Sequence, residues 1–152
     1  MSDKNVIPIS VKSDKVSNRK WSSPVLKQGF CMIPSLLLRA QQRLGLNPTQ
    51  LAVLLQIIDF WWEADRKPFP SKKALSERLG LSPRQIQRYL TELENAGLLK
   101  RIERKSVNNG KLSNEYDLSG LVDRLKEITK EVEKANTIKK QSTKKGGLKL
   151  LA

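Results

Sequence analysis

The stretch Lys72–Thr91, KKALSERLGLSPRQIQRYLT, decides how this chain is read. Ser71 stands just before it and offers an N-cap. Leu75 and Leu79 then fall one helical turn apart, and Gly80 ends that helix. Leu81 follows. Ser82 offers a second N-cap, and Pro83 takes the first helical position, where its missing N–H costs nothing. Ile86, Leu90 and Leu93 recur at spacings of four and three, the mark of one buried face, and Gly97 stops the helix. Two short helices separated only by Gly80-Leu81-Ser82 require a tight turn between them.

With this spacing the stretch resembles the helix-turn-helix of DNA-binding proteins. Leu75 and Leu79 match the apolar positions of its first helix, Gly80 the turn, Leu81 the plug beneath it, and Ile86 and Tyr89 the anchors of its second helix. Ser76 stands where that pattern prefers alanine. An ordinary helical hairpin would not need so many coincident positions. At 100° per residue the face opposite Ile86, Leu90 and Leu93 carries Arg84, Arg88, Thr91 and Asn95, flanked by Gln85 and Gln87. Arginine can bridge guanine O6 and N7, glutamine can pair with adenine, and a threonine methyl can meet a thymine methyl. Arg84, Gln85, Gln87, Arg88 and Thr91 are therefore the expected base contacts.

A hairpin is predicted next. Leu98–Lys105 reads as a strand and Ser113–Leu118 as its partner, with the turn signal Asn108-Asn109-Gly110 between them. Arg101, Arg104, Lys105 and Lys111 surround its tip. Beside a reading helix such cations reach phosphates or a minor groove; otherwise they are lysines and arginines in water on a routine hairpin. Ser71, Lys72, Lys73, Ser82, Arg101, Arg104, Lys105 and Lys111 are the expected backbone contacts.

Together with Leu93-Glu94-Asn95-Ala96-Gly97-Leu98-Leu99-Lys100-Arg101 and the closing Ser113-Asn114-Glu115-Tyr116-Asp117-Leu118, these features make residues 30 to 128 similar to the winged helix-turn-helix domains of bacterial, phage and plasmid proteins. Regulators and the N-terminal domains of replication initiators share that domain. The resemblance implies a mainly α fold with a small β-hairpin, and it implies DNA binding. The same fold serves transcription and replication alike.

Working outward, Pro34 opens a short helix through Leu44, closed by Gly45. Asn47, Pro48 and Gln50 form a capping-box start. The helix after them carries Leu51, Leu54, Leu55, Ile58 and Trp62 on one stripe, widened by Val53, Ile57, Phe60 and Trp61, until Lys67-Pro68-Phe69-Pro70 breaks it. Residues 1–28 are polar, without a sustained period, and read as a flexible arm. Residues 29–118 form the DNA-binding domain. Ser119 caps a helix over 119–136 whose Leu121, Leu125, Ile128, Val132 and Ala135 make a heptad-like seam. That seam either docks on the domain or pairs two chains; the Leu51–Trp62 helix is a second candidate for a homodimer contact. Residues 137–152 hold five lysines (Lys139, Lys140, Lys144, Lys145 and Lys149) and no acid, and read as a flexible basic tail that adds non-specific affinity.

Composition agrees. Lys and Arg number 29 against 15 acids, a net charge of +14 in 152 residues, which favours a polyanionic partner through counterion release. The chain has no histidine, so a histidine base and Cys/His zinc sites are excluded. One cysteine, Cys31, excludes an intrachain disulfide, and its apolar run Phe30-Cys31-Met32-Ile33 suggests a small core residue. Without a carboxylate pair or a Gly-rich phosphate loop, no enzyme, cofactor or metal is expected. The most apolar run, Leu51–Trp62, is too short to span a bilayer, and a cytoplasmic, nucleoid-associated protein without a membrane partner is expected. Double-stranded DNA is the expected ligand. The first functional reading is a transcriptional regulator acting by occupancy. The alternative is a replication or partition factor of a mobile element, with a transcription or replication protein as partner. A winged helix used only for protein or RNA contacts would lack preference among duplex sequences.

Overall fold

The computed structural model describes the backbone of residues 10–149 and the side chains of residues 16–144. The chain divides into two units, Met1–Met32 and Ile33–Ala152.

The first unit holds α1 (Ser10–Trp21) and α2 (Ser23–Leu26), joined at Ser22 with φ of 67°. The expected flexible arm is thus helical over much of its length. Polar composition hid it, since an apolar period is what announces a helix in the sequence. Phe30 and Met32 are largely exposed and Cys31 is half-buried, so this run is not core.

The second unit begins with α3 (Ser35–Arg39), shorter than expected, with Pro34 at the N-cap and turns continuing to Gly45. α4 (Pro48–Asp59) starts on the predicted capping box: Asn47 Oδ1 accepts from Gln50 N at 2.8 Å and Gln50 Oε1 accepts from Asn47 N at 2.9 Å. Val53, Leu54, Ile57 and Ile58 are its buried residues. The helix ends at Asp59, earlier than the apolar run suggested, so Trp62 lies off the predicted stripe and is 83% exposed.

α5 (Lys72–Leu79) and α6 (Pro83–Asn95) form the predicted pair. Ser71 Oγ accepts from Ala74 N at 3.0 Å, and Ser82 and Gln85 form a second capping box. Gly80 takes the left-handed conformation, φ 65°, that closes α5 tightly. Ser76 accounts for its own departure from alanine: its hydroxyl donates to the carbonyl of Leu81 and ties the turn to α5. Leu75, Ile86, Leu90 and Leu93 are fully buried, each Leu or Ile contributing about 1.5–3 kcal/mol relative to exposure.

β1 (Lys100–Ile102) and β2 (Glu115–Asp117) pair antiparallel with Arg101 opposite Tyr116. Both strands are shorter than predicted, but an isolated bridge, Lys105 to Lys111, carries the pairing outward. Tyr116 is buried and its N–H donates to Pro68 O at 2.9 Å, which anchors the hairpin to the loop before α5. Burial pushes the Tyr116 hydroxyl up to about 12.

α7 (Ser119–Lys149) runs 31 residues, well past the expected end at 136. Ser119 is its first helical residue rather than its cap; the Asp117 carboxylate accepts the Ser119 N–H at 2.9 Å. That bond holds the Asp117 carboxyl below its usual range. Leu121 and Ile128 are buried, and Arg43 pairs with Glu131. From Glu131 to Lys144 every side chain is exposed, Val132 and Ile138 included. The seam therefore docks on the winged unit over its first half. The expected flexible tail is helical through Lys149, and the side chains of Lys145 and Lys149 lie outside the described residues.

Candidate nucleic-acid interface

α6 separates its two faces cleanly. With Ile86, Leu90 and Leu93 buried beneath, the outer face forms a shallow groove of about 510 Å³ lined by all five predicted base contacts, Arg84, Gln85, Gln87, Arg88 and Thr91, with Ser82 and Glu92. Arg84 and Arg88 are exposed. Arg88 lies over the Tyr89 ring, its guanidinium carbon 5.0 Å from the centroid, and 3.9 Å from a Glu92 carboxylate oxygen. Gln85 is engaged at the cap, where its side-chain oxygen accepts the Ser82 N–H. Thr91 donates its hydroxyl to Gln87 O and accepts from Arg101 Nη2 at 3.3 Å. The Gln87 amide oxygen is buried without a hydrogen-bond partner among the described residues. Such an orphan acceptor costs about 1–3 kcal/mol in the free protein.

Beside this face a larger cleft of about 710 Å³ opens between α5, α6 and the hairpin. Lys72, Arg101, Arg104, Lys105 and Lys111 line it, and Glu94 and Glu103 are the acids there. Of the predicted backbone contacts, Ser71 joins those five in the cleft, whereas Lys73 and Ser82 do not line it. Lys73 lies 3.9 Å from Glu77.

Arg101 is not a loose cation. Its backbone N–H and its Nε donate to the two oxygens of Glu94, at 3.0 and 2.8 Å. These bonds hold the Glu94 carboxyl below its usual range, the backbone bond being the largest cause. Arg104 is likewise held, donating from Nε to Ser113 O at 2.8 Å across the hairpin while lying 4.3 Å from the Phe69 ring centroid. At the tip, Ser106 N donates to Gly110 O and Gly110 N to Ser106 Oγ, both at 3.0 Å, with Asn109 at φ 58°. The tip is therefore closed by its own hydrogen bonds and presents Lys105 and Lys111 from opposite strands.

Sequence reasoning missed the bracing. In the sequence Glu94 stands only as part of the run Leu93–Arg101, yet it clamps the wing. Glu92 accepts from Gln50 Nε2 at 2.7 Å and joins α6 to α4. The Gln50–Glu92 pair, 42 residues apart, leaves no local spacing to read, and the Glu94–Arg101 pair spans the turn between α6 and β1, where no regular period applies. Among the described residues no group of His, Cys, Asp and Glu could hold a metal, and no helix is long and apolar enough to cross a membrane.

Known proteins share the fold. The family model of the DnaD N-terminal domain matches residues 33–137. Among solved structures the chain is similar to the N-terminal domain of the DnaD protein from Geobacillus kaustophilus HTA426, at 24% identity and a TM-score of 0.53, covering 81% of this chain and 96% of that one. It is also similar to a possible transcriptional regulator from Methanosarcina mazei Go1, at 20% identity and a TM-score of 0.42, covering 67% of this chain and 82% of that one. No curated protein matches the sequence.

Proposed function

The chain belongs to the family of the DnaD N-terminal domain, and from that premise we propose that it binds double-stranded DNA in a sequence-specific way. In this reading α6 enters the major groove, with Arg84, Gln87, Arg88 and Thr91 toward base edges. Lys72, Arg104, Lys105 and Lys111 follow the phosphates. One observation carries the reading: a polar, arginine-bearing face on a helix whose other face is fully buried, flanked by a cleft with five cations. Major-groove readout needs that combination of a rigid helix and a backbone grip. Gln85, tied into the cap, serves to set the helix start, and Arg101 holds the wing in place.

Bound to a promoter, such a protein regulates transcription by occupancy, and that is the role we assign. The second role is to mark an origin for a replication or partition protein. The exposed half of α7 supplies a surface for a second copy or a partner protein in both.

The experiment is selection of bound sequences from a random duplex library at about 0.15 M salt. Enrichment of a defined motif is the expected result; an inverted repeat within it indicates a dimer, and its genomic positions separate promoter from origin. Uniform recovery of all sequences would overturn the proposal.

A further inference from the structure

A second groove, about 500 Å³, lies between the end of α4, the start of α5 and the wing. Phe60, Trp62 and Phe69 supply its flat surfaces, and Arg66, Lys67 and Arg104 its charge, against one acid, Glu63, among the described lining residues. Trp62 is 83% exposed but does not swing freely, because its indole N–H donates to Asp59 O at 2.6 Å. Phe69 carries guanidinium groups over its ring, with the carbons of Arg66 and Arg104 at 5.1 and 4.3 Å from the centroid. The groove is continuous with the basic cleft, since Ser71, Arg104 and Ser113 line both.

Held aromatic rings interleaved with planar cations are what unpaired bases stack upon, while their phosphates follow the positive charge. A paired base has its faces covered by its neighbours and cannot use such a platform. We propose that this groove binds unpaired nucleotides of single-stranded DNA next to the duplex site, with a base stacked on Trp62 and the phosphates near Arg66, Lys67 and Arg104. The chain then recognises a junction of duplex and single strand. The inference rests on the duplex-binding reading for its position, because a strand leaving the wing cleft passes Arg104 into the groove. An apolar peptide would fill the same rings but would have no use for three cations.

The test uses the full chain and three probes: a blunt duplex carrying the selected motif, the same duplex with a short single-stranded thymine tail bearing 2-aminopurine, and the tail strand alone. The tail is expected to raise affinity roughly 5- to 100-fold per stacked base, and the 2-aminopurine emission is expected to be quenched. Trp62→Ala should abolish both effects and leave blunt-duplex affinity unchanged, and Trp62→Phe should keep most of the gain. Equal wild-type affinity for blunt and tailed duplex overturns the proposal and leaves the groove to a peptide. Equal losses of Trp62→Ala on both probes overturn it as well. If the tailed probe binds through Trp62 while the blunt duplex is not bound, the groove stands and the major-groove reading of α6 falls.

Discussion

Arg101 and Glu94 are joined three times, once through the Arg101 backbone N–H and twice through its guanidinium, and this pair fixes the wing to the C-terminal end of α6. A wing held at one angle keeps the bridged Lys105 and Lys111 fixed relative to α6. A loose wing would have to be ordered on binding, and that ordering entropy subtracts from affinity.

Glu94→Gln keeps the size of the side chain and removes its charge. The expected loss at neutral pH is about 1–2 kcal/mol of stability, since a charge-assisted bond gives way to a neutral one in a half-buried site. DNA affinity should fall with it. The pH dependence has a definite sign. Because the folded state holds the Glu94 carboxyl below 4.5, its contribution is present above that value and is lost as pH falls below it. Urea midpoints of wild type and variant should therefore converge as the solution is acidified. A gap that stays constant on acidification would show that the charge of Glu94 does not hold the wing.

Gly120→Ala should destabilise the protein, against the usual direction. An alanine in a helix is normally favoured over glycine by about 0.5–1 kcal/mol. Here a Cβ on Gly120 would collide with the carbonyl oxygen of Gly97, a backbone atom with little freedom to move, because the start of α7 lies directly on the α6–β1 turn. Leu121 N donates to Leu98 O at 3.1 Å in the same contact. A loss of about 1–3 kcal/mol is expected, read as a lower thermal midpoint. A raised midpoint would mean that α7 does not pack this closely.

Much of the site was legible because its signals are local. Ser82-Pro83, Asn47-Pro48 with Gln50, and Gly80 each declare a helix end within four residues, and the structure honours all three; that Gln85 closes a second capping box, rather than facing a base edge, showed only in the structure. The burial of Ile86, Leu90 and Leu93 followed from period alone. What failed to show depends on contacts far along the chain. Gly120 reads as an unremarkable helix residue until Gly97 is placed beside it. Trp62 read as core because hydrophobicity continues past Asp59, whereas the helix does not. The lysines beyond Thr137 read as tail, yet α7 continues through Lys149 although no described side chain beyond Lys130 is buried, so no buried stripe could announce it.

Gln87→Leu should move stability and binding in opposite directions. The Gln87 side chain carries a buried acceptor with no partner among the described residues, so an apolar group of similar size is expected to stabilise the free protein by about 1 kcal/mol. If that amide is reserved for a base edge, affinity for the selected motif should drop by about 1–3 kcal/mol. Denaturant titration and competition binding on one preparation check both halves. Parallel changes would assign Gln87 to the core rather than to the interface.

Arg88→Ala and Lys111→Ala separate reading from holding. Arg88 stands exposed on the outer face of α6, beside Tyr89 and Glu92, and its guanidinium fork suits a guanine edge. Its removal should cost about 1–3 kcal/mol on the preferred site and relax the choice at one base position. Lys111 sits on the closed hairpin, bridged to Lys105, and in the proposed complex it follows the phosphates. Its removal should weaken all duplexes alike and reduce the slope of log affinity against log salt by about 0.9. Competition with single-base variants of the motif, repeated over a range of salt, measures both quantities. Equal losses for the two variants on every sequence would remove α6 from the reading role and leave the protein a cation-rich binder of the DNA backbone.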